Sequence, residues 1–167
     1  MTAQRIAATV ALALVLSGCE SALPDVIDAL PAEVGGVQRA DRALDDDGRY
    51  AAALADAGVA PGVVAGHEVR WGDDLRLIVQ RFENVGLNGP ALAARSILGL
   101  ADPQTAIGVL GTQTITALTS DEVEGVAYEL ALGGEGSETV MATIVAPSDD
   151  EARVIVDAIV DALPASP

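Results

Sequence analysis

The sequence predicts an α+β fold, a largely antiparallel sheet of about five to six strands with helices packed on one face. Half of its 167 residues are hydrophobic, which is enough for one packed core. Short β-branched segments separated by Gly-containing turns predict the strands. A hairpin followed by a helix occurs twice, at residues 66–100 and 124–163. This order suggests a weak internal duplication, although chance convergence explains it equally well.

The first elements of the domain are an extended segment and a helix. The extended segment lies around residues 34–39. A helix is predicted over residues 44–57, because the three aspartates at 45–47 favour the positive end of a helix and Gly58 is a suitable residue to end it.

The middle of the chain predicts a hairpin, a second helix and two further strands. Residues 66–82 alternate around a Gly-Asp-Asp turn, as in a hairpin. Pro90 favours the first turn of a helix over residues 90–100. Extended segments are expected near residues 105–110 and 113–118.

The last third predicts two strands and a terminal helix. Residues 126–131 and 139–146 are apolar and β-prone, and a Gly-rich segment connects them. Ser148 and Glu151 have the spacing of a capping box, and an apolar stripe at helical spacing continues from there to Pro164.

The first nineteen residues have the order of an export signal. Arg5 provides a positive charge, residues 6–16 are apolar, and small residues follow. Eleven apolar residues are too few to cross a bilayer, which takes about 20 residues in a helix. We therefore expect this segment to be cleaved.

The sequence Leu-Ser-Gly-Cys at residues 16–19 resembles the lipobox of bacterial lipoproteins. The resemblance implies that the Cys19 thiol is joined to diacylglycerol and that a signal peptidase cleaves before Cys19. The alternative is an ordinary secretory signal with an incidental cysteine. Cleavage of that kind after Ala22 would put the charged Glu20 at a position that favours small residues.

This resemblance divides the chain into three parts. Residues 1–18 are expected to be a lipoprotein signal peptide, residues 19–32 the lipidated cysteine and a tether, and residues 33–167 a single α+β domain. The expected location is the outer face of the cytoplasmic membrane or the cell envelope, with the membrane bound through lipid on Cys19. The domain resembles small uncharacterised lipoproteins of high-GC bacteria, without a motif for one specific family.

Charge and aromatic content exclude nucleic acid as a partner. All nine basic residues are Arg, against 25 acidic residues, so the net charge is −16. It becomes −17 once residues 1–18, which contain Arg5, are removed. Such a surface repels phosphate backbones, and four aromatic residues provide few stacking platforms for bases.

No catalytic residue, metal site or cofactor is predicted. His67 is the only histidine, so a Ser-His-Asp triad would have to use it with Ser120 and Asp121, or with Ser137. Neither serine lies in a nucleophile elbow, and His67 is expected on the polar side of a strand. The acidic run at residues 45–48 lacks the ligand spacing of a calcium loop, and helix capping explains it better.

Three functions remain open. The preferred one is a non-enzymatic binding or scaffold module that acts through protein contacts, for which we expect an exposed apolar patch beside a charged rim. The second is a carrier of a lipid or small hydrophobic ligand, which needs a cavity of about 300 Å³ between the sheet and its helices. The third is a hydrolase that uses His67.

Overall fold

The computed structural model describes residues 22–44, 48–60, 64–133 and 138–162. These residues form four helices and eight strands around one sheet. The helices are α1 (Ala22–Ala29), α2 (Arg49–Asp56), α3 (Asn88–Leu98) and α4 (Asp149–Ala162). The strands are β1 (Glu33–Val34), β2 (Val37–Ala43), β3 (Val64–Trp71), β4 (Leu75–Glu83), β5 (Gln104–Leu110), β6 (Gln113–Thr119), β7 (Val126–Gly133) and β8 (Glu138–Ala146).

The sheet is antiparallel throughout, in the order β1-β2-β3-β4-β8-β7-β6-β5. The α+β class and the antiparallel sheet are confirmed, but the sheet is larger than the five to six strands expected. The extra strands come from the segment after α1, where Gly35 and Gly36, both with positive φ, allow a tight turn between β1 and β2. β2 is mostly polar, so it lacks the apolar alternation that marks a strand in a sequence.

The helices cover both faces of the sheet, so the expectation of helices on one face is wrong. α1 and α4 pack on the face that contains Leu77 and Val79, whereas α2 and α3 pack on the face that contains Ile78 and Phe82. These four residues belong to the same strand, β4, which is apolar on both sides. A strand of this kind is buried between two layers.

α1 lies in the segment that we expected to be a tether. Val26 and Leu30 are buried in the core beneath α4. The guanidinium of Arg39 donates hydrogen bonds of 2.9 and 2.8 Å to the carbonyl oxygens of Ile27 and Leu30, which end this helix. The segment from Val26 to Leu30 is therefore part of the packed core.

Most other helices and strands lie close to the positions predicted from local sequence patterns. The hairpin at residues 66–82 is β3 and β4. Ser148 caps α4, since the Glu151 N–H donates to Ser148 Oγ at 3.4 Å. Glu151 Oε2 accepts a 3.0 Å hydrogen bond from the Ser148 hydroxyl, whereas in a complete capping box it would accept from the Ser148 backbone N–H. α2 begins at Arg49 rather than at residue 44. The aspartates at 45–47 and the final prolines lie outside the described residues.

The hairpin-then-helix order is present twice, as β3, β4 and α3 and as β7, β8 and α4. The sheet consists of two four-stranded meanders, β1 to β4 and β5 to β8. Because β4 pairs antiparallel with β8, a two-fold axis normal to the sheet relates these two meanders. Such an axis would keep the two helices on the same face, but α3 and α4 lie on opposite faces. The repeat is therefore limited to the order of the strands.

Candidate functional site

The outermost strand, β5, is the principal candidate site. It pairs along its whole length with β6, from Gln104 opposite Thr119 to Leu110 opposite Gln113, and with no other described strand. Its outward N–H and C=O groups therefore form a row without strand partners in the described part of the chain. We call this row, together with the side chains of residues 104–110, the β5 edge.

Two large apolar side chains of the β5 edge are exposed. Ile107 is 85% and Val109 73% accessible, the highest values among the exposed large hydrophobic residues described. They share one face of the strand, opposite Thr116 and Thr114 of β6. Leu110, on the other face, is buried in the core and fixes the end of the strand. The rest of the edge therefore offers apolar surface on a fixed backbone.

The β5 edge also carries no charge. Residues 103–120 contain no Asp, Glu, Lys or Arg, which makes them the longest uncharged stretch of this acidic chain. The opposite edge is different, because β1 has only two residues and includes Glu33, and β2 beside it carries Arg39, Asp41 and Arg42. Short length and charge protect a sheet edge from pairing with other chains, and β5 has neither protection.

Charged residues lie at both ends of the β5 edge. Asp102 precedes β5 and adopts a positive φ of 41°. At the β5–β6 turn, a side chain added at Gly111 would meet Arg153 at 3.4 Å and Asp157 at 3.6 Å, so both lie close to the turn. The β5 edge is therefore an apolar strip with charged residues near both of its ends.

Sequence reasoning placed β5 and β6 but missed the importance of the edge. The uncharged stretch at residues 103–120 was a visible signal. It could not show that β5 is outermost, because this depends on the pairing of β8 with β4 rather than with a neighbour along the chain.

A cluster of charged side chains lies on the face covered by α2 and α3. It joins one buried glutamate to three arginines. Glu68 has a fully buried side chain and accepts hydrogen bonds from Arg42 at 2.5 Å, Arg70 at 2.7 Å and Arg76 at 2.9 Å. Burial alone would raise the pKa of the Glu68 carboxyl, but hydrogen bonds from the three guanidinium groups outweigh it and hold the pKa below its ordinary value of 4.5.

This cluster has a structural role. Arg76 also donates a 3.0 Å hydrogen bond to the carbonyl oxygen of Ile97 near the end of α3, so it ties that helix to the sheet. The same chemistry recurs nearby, where Arg95 of α3 binds Glu129 of β7 through two hydrogen bonds of 2.7 and 2.5 Å. The Glu68 carboxylate, paired in this way, stabilises the native arrangement only while it is charged.

Three clefts of about 170, 280 and 320 Å³ lie near the end of α3 and the loop that follows β6. All three are open to solvent. Acidic side chains of Asp102, Asp121 and Glu122 line the largest cleft. One of them braces the loop, since Glu122 Oε2 accepts a 3.1 Å hydrogen bond from the backbone N–H of Ala101.

The structure does not bring His67 together with Ser120 and Asp121. His67 is half-buried in β3, and β4, β8 and β7 separate that strand from β6. At ~4.8 Å per strand, β3 and β6 are about 19 Å apart, which is far beyond hydrogen-bond distance. Ser137 and the predicted lipid site Cys19 lie outside the described residues.

Comparisons with known protein families, with curated proteins and with solved structures gave no match. Among the helices of the described residues, none is long and apolar enough to cross a membrane. In the same part of the chain, no three or more His, Cys, Asp or Glu side chains are grouped so as to hold a metal ion. We therefore argue function from the β5 edge.

Replacing Glu68 by Gln should destabilise the domain, because three guanidinium groups would lose their shared carboxylate. We expect a loss of about 2 to 4 kcal/mol in the free energy of unfolding at pH 7, below that of a fully buried pair because the arginines are partly exposed. Urea denaturation followed by circular dichroism measures the loss. Glu83→Gln, at an exposed position on β4, is the matched control and should change the value little.

The loss should also depend on pH. Because the pKa of Glu68 is lowered in the native state, its carboxylate stabilises that state fully above pH 4.5. This stabilisation is lost as the pH falls and Glu68 takes up a proton. The difference between the original protein and Glu68→Gln should therefore shrink in acid. A difference that stays constant down to pH 3 would contradict the charged role of Glu68.

Proposed function

We propose that this chain is a lipid-anchored extracytoplasmic binding module, without enzymatic activity, whose β5 edge accepts a strand from another polypeptide. The observation that carries the proposal is the combination of unpaired backbone groups, exposed Ile107 and Val109, and absence of charge on this one described edge. In β-strand addition, backbone hydrogen bonds provide affinity and alternate side chains provide specificity.

The free energy gained by covering the β5 edge is comparable to or smaller than the cost of association, so membrane anchoring would assist binding. Covering Ile107 and Val109 would contribute about 3 to 6 kcal/mol, taking ~1.5 to 3 kcal/mol for each apolar side chain. Association in free solution costs about 4 to 15 kcal/mol in lost translation and rotation. Confining both partners to one membrane reduces that cost by raising their effective concentration.

The lipid anchor would hold the domain close to the bilayer. Only residues 20 and 21 separate Cys19 from α1, whose later residues are packed in the core. At ~3.5 Å per residue, α1 would begin about 10 Å from the anchored cysteine. Like charge would keep the acidic surface from entering anionic headgroups.

The carrier and the hydrolase gain no support from the described residues. A carrier needs an apolar cavity between the sheet and its helices, whereas the cleft of 320 Å³ lies at the ends of β5 and β6 and is lined by polar and acidic side chains, among them Asp102, Asp121 and Glu122. A hydrolase needs a nucleophile within hydrogen-bond reach of His67, and Ser120 is several strands away. We therefore extend the proposal to neither function.

Replacing Cys19 by Ala should abolish lipid attachment, because only a thiol forms the thioether. Cells supplied with an alkyne-labelled fatty acid should incorporate label into the original chain and none into Cys19→Ala. Membranes washed with carbonate should retain the first protein and lose the second. Absence of label from the original chain would remove the anchor from the proposal, and the β5 edge would be tested separately.

A photo-crosslinking amino acid placed at Val109 in the full chain should give a discrete adduct of higher mass in intact cells. The same group at Val37 is the matched control, because Val37 is also exposed, at 42%, but lies at the protected edge. Adding Ile107→Lys should reduce the Val109 adduct, since a charge would have to be desolvated in the paired edge. Equal adducts from Val109 and Val37 would contradict the proposed site.

A further inference from the structure

We infer that the strand accepted by β5 is the β5 strand of a second copy of this chain, paired antiparallel about a two-fold axis at Gly108. This inference rests on the proposed function and names its partner. It would join two eight-stranded sheets edge to edge into a single sheet of sixteen strands.

The sequence of β5 is complementary to itself in this register. Residues at equal distance from Gly108 would face each other, so Ile107 faces Val109 of the second copy on one side of the sheet. On the other side, Ala106 faces Leu110, and the two Gly108 residues meet at the centre. Each apolar side chain thus meets an apolar side chain, which is the pairing that stabilises antiparallel strands.

Neighbouring registers are less well matched. With the axis at Ile107, Val109 would face Thr105 and Leu110 would face Gln104. With the axis at Val109, Ile107 would face Gly111 and gain little contact. Gly108 is therefore the centre that buries the exposed pair Ile107 and Val109 from both copies against each other.

Charge does not direct a basic partner to the β5 edge. A partner attracted by an acidic protein would be basic and would need acidic groups at the contact, but residues 103–120 provide none. A second copy presents an equally neutral strand. Its net charge of −16 repels the first copy only through groups away from the edge, and salt screens such repulsion over a Debye length of about 8 Å at physiological ionic strength.

The pairing would close on itself. A two-fold contact uses the same surface on both copies, so each β5 edge is consumed. The edges that remain are the two copies of β1, which are two residues long and carry Glu33, beside the charged strand β2. Such edges resist further pairing, so a discrete dimer rather than a filament is expected.

Paired cysteines in co-expressed full chains test this register. Two differently tagged copies would each carry Ile107→Cys together with Val109→Cys, and intact membranes would be oxidised with copper phenanthroline. Opposed residues in an antiparallel pair have Cα atoms ~4.5 to 5.5 Å apart, a separation that a disulfide can bridge. We expect a disulfide-linked species that contains both tags.

Three controls define the result. Ile107→Cys alone should give far less of this dimer, because its thiol faces Val109 of the second copy. Val37→Cys, at the opposite edge, should give at least ~10-fold less than the double variant, since no thiol lies within disulfide distance. The unsubstituted chain reports any linkage through Cys19. Ile107 and Val109 are largely exposed in the single chain, so thermal unfolding of each variant, measured on the monomer, should match that of the original monomer.

The outcomes separate this inference from the proposed function. A two-tag dimer specific to the double variant, with a yield that rises with ionic strength, supports self-pairing. Equal linkage from Val37→Cys overturns it. A Val109 photo-adduct to a different polypeptide, without a two-tag dimer, overturns self-pairing and leaves the proposed function standing. Absence of both products overturns both.

Discussion

The antiparallel pairing of β4 with β8 is the constraint on which the rest of the structure depends. Eight residue pairs, from Arg76 opposite Val145 to Glu83 opposite Glu138, join two strands that are far apart in the chain. Both strands are apolar on both sides, so each face of the sheet needs a layer of helices. The same pairing moves the first strand of each meander outward and leaves β5 at an edge.

Three arginines hold the helix layers to this sheet. Arg39 ends α1, Arg76 connects the end of α3 to Glu68, and Arg95 connects α3 to Glu129. The planar guanidinium can donate several hydrogen bonds at once and suits such bridges better than lysine. Three of the nine arginines therefore contact the packed layers. Acidic residues outnumber basic ones in the chain, and β5 carries no charge.

Features set by neighbouring residues were predicted from the sequence, and features set by distant pairing were not. The capping of α4 by Ser148 and the β3–β4 hairpin follow from local chemistry. The helices on both faces were missed, although the run Leu77, Ile78 and Val79 in β4 was a signal for burial on both sides. The identity of the edge strand depends on contacts across half the chain, which no local pattern reports.

Topology and composition therefore support the proposal that another strand occupies the β5 edge when the protein is anchored by lipid. Residue-resolved amide hydrogen exchange of β5, on the full chain in lipid nanodiscs, tests it most directly. The account predicts slow exchange at successive amides of residues 104–110, because β6 protects one set and the added strand protects the other. Protection at alternate amides only, with the remainder exchanging as in an unpaired peptide, would contradict it.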